Sequence, residues 1–159
     1  MNNIPRPEHP KPQMQRKNWM NLNGAWDFSF DFGNSGIARK MFQEEKLDRK
    51  ITVPFCPESA LSGIGNKDFM PAVWYLRTFE LTQEQRKGRI MLHFGAVDYE
   101  CRVWINGKEA GVHKGGYASF QFDITDLTVT GENRVTVYAF DDQRSGRQCK
   151  GKQCGLFHS

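Results

Sequence analysis

The stretch IMLHFGAVDYECRVWINGKEAGVHKGGYASFQFDIT, residues 90–125, decides the fold. Within it, apolar and polar residues alternate in three runs, over residues 90–94, 101–105 and 119–123. Alternation with a period of two is typical of a β-strand that buries one face. We therefore predict strands at all three runs, arranged as an antiparallel meander over a core.

The dipeptide Asn106-Gly107 follows the second of these runs. Both residues tolerate positive φ angles, and the pair is the strongest short signal for a two-residue hairpin. We expect residues 101–105 to pair with residues 108–112. The glycine pair at 115–116 then predicts a sharp bend or a close approach of the backbone.

Two further segments carry clear strand patterns. Residues 25–32 form the most amphipathic strand, with polar residues on one face and aromatic residues on the other. The aromatic residues, which we expect to point inward, are Trp26, Phe28, Phe30 and Phe32. Residues 73–81 carry large side chains on both faces, which predicts a central strand.

The remaining segments complete a pattern of short strands. A strand at residues 51–53 ends at Pro54, and another at 134–140 follows a predicted turn at 131–133. The charged segment 38–50 leaves a helical turn and a loop as alternatives. Seven or eight short strands with almost no helix predict a two-sheet β-sandwich rather than a βαβ fold.

Length and composition limit the class of protein. A chain of 159 residues has the size of one domain and buries a core without disulfides. It contains no run of 18 apolar residues and no hydrophobic signal core at its N-terminus, so we expect no membrane segment. A chain whose signal had been removed would have the same sequence, so bacterial cytoplasm and periplasm both remain open.

Charge and cysteine content favour no cofactor, metal or nucleic acid. The net charge is +4, but the basic residues are scattered apart from a cluster in the last 17 residues, so we expect no nucleic-acid binding. Cys149, Cys154 and His158 lack the paired spacing of a structural zinc site. Cys56 and Cys101 lie in apolar contexts, where a free cysteine behaves as a small hydrophobic residue.

A set of short motifs, in order along the chain, resembles one known family. They are Asn21-Leu22-Asn23-Gly24-Ala25-Trp26, Val53-Pro54, Leu61-Ser62-Gly63, Val73-Trp74-Tyr75-Leu76-Arg77-Thr78-Phe79, Leu92-His93-Phe94-Gly95-Ala96-Val97-Asp98-Tyr99, Val103-Trp104-Ile105-Asn106-Gly107, His113-Lys114-Gly115-Gly116-Tyr117 and Phe122-Asp123-Ile124-Thr125. Together they resemble the N-terminal sugar-binding domain of glycoside hydrolase family 2, the β-galactosidase, β-glucuronidase and β-mannosidase group.

The resemblance implies a jelly-roll β-sandwich, similar to galactose-binding carbohydrate modules. In the family this domain precedes an immunoglobulin-like domain and a (β/α)8 barrel, and the barrel supplies the two glutamates of a retaining mechanism. The family's Asn-Glu acid/base motif is absent from this sequence. We therefore assign no catalytic residue and expect a non-catalytic domain of a retaining exo-β-glycosidase, which braces the barrel and borders its sugar pocket.

The resemblance also suggests how the chain is divided. We predict an extended arm at residues 1–17, a β-sandwich domain at 18–142 and, at 143–159, a loop that leads toward a strand outside this sequence. In the family that strand completes one sheet and is preceded by an acidic residue that reaches the sugar pocket. Its absence predicts an open sheet edge and self-association. Asp141 and Asp142 lie upstream of that acidic position, and we interpret them as turn residues.

Candidate functional residues come from the loops that the family places near the barrel. We expect Asn66, Lys67 and Asp68 to border the substrate pocket, and Tyr117, next to a glycine pair, to have a surface role there. Trp74 and Trp104 lie inside strands with apolar neighbours, so a core position is favoured over stacking on a sugar.

Two other classes of function remain as alternatives. One is an independent carbohydrate-binding module that holds a glycan with its own loops, and the other is a purely structural sandwich. The partners expected from the resemblance are carbohydrate and the downstream immunoglobulin-like and barrel domains.

Overall fold

The structure, a computed structural model, describes residues 4–9, 11–15 and 17–142. Eight strands and five short 3-10 turns occur in these residues. The strands are β1 (Gly24–Phe30), β2 (Arg49–Val53), β3 (Ala72–Leu81), β4 (Met91–Phe94), β5 (Glu100–Ile105), β6 (Lys108–Lys114), β7 (Phe120–Asp123) and β8 (Gly131–Phe140). The 3-10 turns are Pro12–Met14, Met41–Gln43, Ala60–Ser62, Gln85–Lys87 and Thr125–Leu127. None of the helical segments in the described ranges is long and apolar enough to cross a bilayer.

The strands form two antiparallel sheets. The large sheet has the order β2-β1-β3-β8-β5-β6, and β4 pairs with β7 in a small sheet. Every pairing is antiparallel. This architecture confirms the predicted all-β class and agrees with a jelly-roll β-sandwich. The predicted central strand is also confirmed, because β3 lies between β1 and β8.

The predicted hairpin is confirmed, but the predicted meander is wrong. Asn106 and Gly107 have φ angles of 52° and 79°, and β5 pairs with β6 on either side of them. In contrast, β4 pairs with β7 and has no ladder with β5. The connections 95–99 and 115–119 therefore cross between the two sheets. Alternation predicts which face of a strand is buried, but it does not predict the neighbour.

The inner face of the large sheet and the small sheet enclose the main core. Trp26, Phe28, Val103 and Val135 are buried there, and Phe122 of β7 packs closely over Gly111 of β6. A Cβ at Gly111 would collide with the Phe122 ring, so glycine permits the two sheets to approach at this point.

A second hydrophobic cluster covers the outer face of the large sheet. Its buried members are Met41, Leu47, Ala72, Trp74, Leu76, Trp104 and Tyr138. Trp74 is 0% and Trp104 4% exposed, which confirms their predicted core positions. Phe42, on the connection between β1 and β2, stacks on Trp104 at 5.1 Å between ring centroids. The large sheet is therefore buried on both faces, and the connection acts as a third layer.

One carboxylate holds this third layer on the sheet. Asp31 Oδ2 accepts hydrogen bonds from Trp74 Nε1 at 3.1 Å and from Gly36 N at 2.7 Å, while Oδ1 accepts one from Ser35 N at 3.0 Å. Burial raises the pKa of Asp31, but these hydrogen bonds and the charge of Arg39 outweigh it, so the pKa lies below its ordinary value. Charge-assisted bonds of this kind are roughly twice as strong as neutral ones.

Two local predictions are wrong near the ends of strands, those for Phe32 and for residues 131–133. Phe32 is not in the core: β1 ends at Phe30, the chain turns, and the Phe32 side chain is 60% exposed. The polar residues Asp27 of β1 and Asp31, which follows β1, are only 7% and 2% exposed, because the third layer covers them. Residues 131–133 are not a turn but the beginning of β8. The segment 38–50 contains only the short turn Met41–Gln43 before β2 begins.

The N-terminal segment lies against the start of β1. Asn23 Nδ2 donates to the carbonyls of Pro5 and Arg6, both at 3.2 Å, and Asn21 Nδ2 donates to that of Arg6 at 3.2 Å. These bonds give the extended segment fixed partners on the sandwich. The boundaries at residues 17 and 142 stay predictions, and residues 143–159 lie outside the described ranges.

Replacement of the buried carboxylate tests the role of the third layer. We expect Asp31→Asn to lower the free energy of unfolding by about 1–3 kcal/mol at pH 7, because an amide nitrogen would face a backbone or indole donor. Since the folded-state pKa is lowered, the stabilisation is present above the ordinary value of 3.8 and is lost as the pH falls through the folded value. Urea unfolding between pH 7 and pH 3 would measure both effects.

The matched control is Asp48→Asn, whose carboxylate is 60% exposed beside Arg49. We expect a change within about 0.5 kcal/mol for this exposed pair. Equal effects of the two substitutions would show that Asp31 does not hold the layer.

Candidate functional site at the loop end

Several connections meet at one end of the sandwich, which we call the loop end. The strand ends that meet there are Phe30, Ala72, Glu100, Lys114 and Phe140. Tyr99 N donates to Phe140 O at 3.1 Å, and Asp141 N donates to Pro71 O at 2.9 Å. Backbone hydrogen bonds therefore hold three different connections in a fixed arrangement.

Acidic residues from separate connections gather at the loop end. Asp98 precedes β5, and its carboxylate packs against Gly116 of the β6–β7 connection so closely that a Cβ at residue 116 would collide with it. Asp141 follows β8 directly. The Asp98–Tyr99 peptide bond is cis. The second glycine of the predicted pair is thus required by close approach, here of a carboxylate.

The acids of this group repel one another. Burial raises the pKa of Asp141, and the nearby charges of Asp98, Asp142 and Glu58 raise it further. Glu58 Oε2 is shielded from solvent and has no hydrogen-bond partner among the described residues. An acceptor buried without a donor is costly, so this oxygen lowers the stability of the loop end.

Ion pairs compensate the neighbouring acid fully. Glu100 accepts from Lys114 Nζ at 3.0 Å and from Arg102 Nε at 3.3 Å. Burial raises its pKa, but these two cations outweigh burial and lower the pKa below its ordinary value. Glu100 therefore differs from Asp141, whose pKa is raised by burial and by neighbouring acids.

No activated nucleophile accompanies these acids in the described ranges. Burial and the charge of Glu58 raise the pKa of the Cys56 thiol, which keeps it protonated and unreactive. Burial likewise raises the pKa of Tyr75, with contributions from Glu58 and Cys56. Among the described residues, no group of three or more His, Cys, Asp or Glu side chains is arranged to hold a metal ion.

The predicted rim residues lie on two different connections. Asn66 is partly buried, whereas Lys67 and Asp68 are exposed, on the long connection that begins at Val53 and ends at Ala72. Ile64 and Met70 of this connection pack on the main core. Asn66 N donates to Pro57 O at 3.0 Å, and its Nδ2 contacts Asp68 O at 3.5 Å.

Tyr117 follows β6 and is 61% exposed. Three strands, β3, β8 and β5, lie between β6 and β1, which corresponds to about 19 Å at the usual strand spacing. The structure brings Tyr117 close to the acidic group through Gly116 and Asp98, while Asn66 lies toward the β1 and β2 side. The two parts of the predicted rim therefore share an end of the sandwich but do not form one cluster.

Analysis of the sequence missed the acidic group. The sequence indicates only a turn at Asp141 and no role for Glu58, because acids on separate connections show no common spacing. The signal available in the sequence was the position of Asp98 and Asp141 immediately beside strand ends. That signal becomes informative only when the strand order is known.

Comparisons with known proteins agree with this architecture. The sequence profile described as "Glycosyl hydrolases family 2, sugar binding domain" matches residues 60–149, more than half of the chain. A β-glucuronidase of Paenibacillus borealis is 34% identical over 130 residues, which are 80% of this chain and 22% of that protein. A β-galactosidase of Thermoanaerobacter pseudethanolicus is 28% identical over 123 residues, which are 73% and 14% of the two chains.

Solved structures of β-glucuronidases also align with this chain over part of their length. A β-glucuronidase from an uncultured Clostridium species aligns with a TM-score of 0.66 at 31% identity, over 76% of this chain and 22% of that chain. The Ruminococcus gnavus β-glucuronidase aligns with a TM-score of 0.70 at 26% identity, over 80% and 22%. The chain thus spans only 14–22% of the length of these relatives. By its matched profile and its fold, the chain belongs to glycosyl hydrolase family 2, as a sugar-binding domain of that family.

Proposed function

We propose that the chain is the non-catalytic N-terminal domain of a retaining exo-β-glycosidase, of β-glucuronidase or β-galactosidase type. In this role it braces a catalytic barrel and borders the barrel's sugar pocket. The observation that carries the proposal is the loop end, where connections held by backbone hydrogen bonds bring carboxylates together and raise the pKa of Asp141. The names of the relatives, all of them much longer proteins, support the choice of enzyme class.

Carboxylates at the loop end suit contact with a sugar or with a partner domain. Each ionised carboxylate offers only acceptors, and sugar hydroxyls and backbone N–H groups are donors. Asp98 and Asp141 would accept such bonds. We propose Asn66, Lys67, Asp68 and Tyr117 as the outer rim of the pocket, because three of these four side chains are exposed and all lie on connections.

The small sheet supports a proposal about self-association. In the ranges that the structure describes, β4 and β7 pair only with each other, so each has an edge without a ladder. Unpaired strand edges are templates for another chain. We propose that the chain associates with a second copy, or with a further strand of its parent protein, through this edge.

The non-catalytic role predicts that the purified chain hydrolyses neither 4-nitrophenyl β-D-glucuronide nor 4-nitrophenyl β-D-galactoside above the buffer rate. A retaining mechanism needs two carboxyl groups roughly 5 Å apart on either side of the glycosidic bond. The release of nitrophenolate, followed over a day at high protein concentration, measures this. Because acids gather at the loop end, Asp141→Asn is the informative variant. If the wild-type chain hydrolysed either substrate and Asp141→Asn abolished this activity, the non-catalytic role would be refuted.

The raised pKa of Asp141 predicts that the charge of this residue destabilises the isolated chain. A raised folded-state pKa means that stability is greatest below the ordinary value of 3.8 and decreases as the pH rises through the folded value. We therefore expect Asp141→Asn to raise the thermal midpoint at pH 7, with a gain that shrinks toward pH 4. Asp126→Asn, at an exposed position, is the control. A loss of stability in Asp141→Asn would mean that existing hydrogen bonds already satisfy the charge.

Sedimentation equilibrium tests self-association. We expect the mean mass to rise with concentration, and His93→Lys, in the middle of β4, to weaken this rise because lysine on an edge strand opposes pairing. His93 is exposed and lies opposite Gln121 of β7. Thr130→Lys adds the same charge at an exposed position outside the small sheet. A chain that stays monomeric at millimolar concentration would refute self-association through this edge.

A further inference from the structure

An exposed aromatic pair lies at the end of β1, away from the acidic group. The rings of Phe30 and Phe32 stack at 5.1 Å between centroids with an interplanar angle of 15°. Phe30 packs on the main core, so it holds the 60% exposed Phe32 ring in a fixed plane. A flat apolar surface of one ring's size is thus presented to solvent.

A cation lies beside this aromatic pair. The Arg49 guanidinium is 5.3 Å from the centroid of the Phe30 ring, within the range of a cation–π contact. Its other contact is with Asp48 at 3.4 Å, between side chains that are 56% and 60% exposed. A solvated ion pair of this kind contributes little to stability. The guanidinium therefore retains donors for a bidentate anion.

Phe30, Phe32 and Arg49 line an open cleft of ≈ 370 Å³ together with residues 63–66. Gly63 and Gly65 have φ angles of 83° and 63°, and a Cβ at either position would meet nothing within 4 Å. The wall is therefore bare backbone with space in front of it. The Asn66 amide completes the wall, and its internal contacts, at 3.5 Å and beyond, are too long to hold it firmly.

We propose that this cleft binds an acidic sugar residue, with the pyranose ring on Phe32, its carboxylate on Arg49 and a hydroxyl on the Asn66 amide. The C–H face of a pyranose packs on an aromatic plane, guanidinium matches a carboxylate in geometry and charge, and an amide serves hydroxyls as donor and acceptor. The volume lies in the range of small-molecule sites. A neutral sugar would leave the arginine unused, so the cleft favours a uronic acid.

This proposal concerns the chain itself and does not depend on the proposed role beside a barrel. Because the cleft is open and has one aromatic platform, we expect a dissociation constant of about 1–10 mM for a single uronic acid residue. Such an affinity is too weak for an independent carbohydrate-binding module, but it suffices to orient one residue of an oligosaccharide that is held elsewhere.

Titration of the ¹⁵N-labelled chain with methyl β-D-glucuronide, and separately with methyl β-D-glucoside, tests the cleft. The two ligands differ only in the carboxylate. We expect amide signals of residues 30–32, 49 and 63–66 to shift and to approach saturation with the glucuronide, and the glucoside to bind at least fivefold more weakly. No shift in these residues up to about 50 mM glucuronide, or equal affinity for both ligands, would refute the proposal.

Two variants separate stacking from charge recognition. Phe32→Ala should weaken both ligands tenfold or more, whereas Arg49→Gln should weaken only the glucuronide and remove the preference between them. Phe69→Ala, also an exposed aromatic residue, and Arg89→Gln, on an 83% exposed side chain, are the matched controls. Unchanged affinity in Phe32→Ala, with an unchanged thermal midpoint, would show that the exposed ring covers another protein surface and not a sugar.

Discussion

The hydrogen bond from Trp74 to the buried carboxylate of Asp31 is the contact on which the layered structure depends. It joins the central strand of the large sheet to the connection that follows β1, across a sequence separation of 43 residues. This connection contains little regular secondary structure, so its packing relies on side-chain contacts. With Asp31 bonded to Ser35 and Gly36 as well, the chain is directed over Trp74, and the close approach of Gly36 to the indole leaves no room for a side chain there.

A second connection, between β2 and β3, covers part of the inner face of the large sheet. The small sheet has two strands in the described ranges and cannot cover six, so the inner face at β1 and β2 is covered partly by Ile64 and Met70 of the long connection. That connection crosses the sandwich from one end to the other and at the same time supplies Asn66 and Glu58. The segment that completes the core is thus also the segment that presents polar groups, and its position is fixed by burial of its apolar residues.

Sequence patterns predicted the strands well because the alternation along a strand depends only on which of its two faces is buried. Trp26, Phe28 and Val103 lie inside as the alternation requires, and Asn106-Gly107 forms its turn from local backbone preference alone. Strand partners, the third layer and the acidic group could not be read in the same way, because they depend on contacts between segments that are distant in sequence. Asp31 illustrates this limit: its alternation indicates an outward residue, and only the folded connection makes that outward position a buried one.

Phe32 shows why a failed pattern is informative. A large aromatic residue that continues an inward series but is 60% exposed exposes apolar area with no benefit to folding, and the stack on Phe30 restricts its rotamers as well. Sequences that fold well rarely break a local rule without compensation, and such departures concentrate at functional sites. Here β1 ends at Phe30, and the Asp31 carboxylate, which accepts from Ser35 N and Gly36 N, holds the following residues in a turn. The anchor that builds the third layer therefore also brings the Phe32 ring to the surface beside Arg49, so that one buried carboxylate determines both the packing of the outer face and the shape of the cleft.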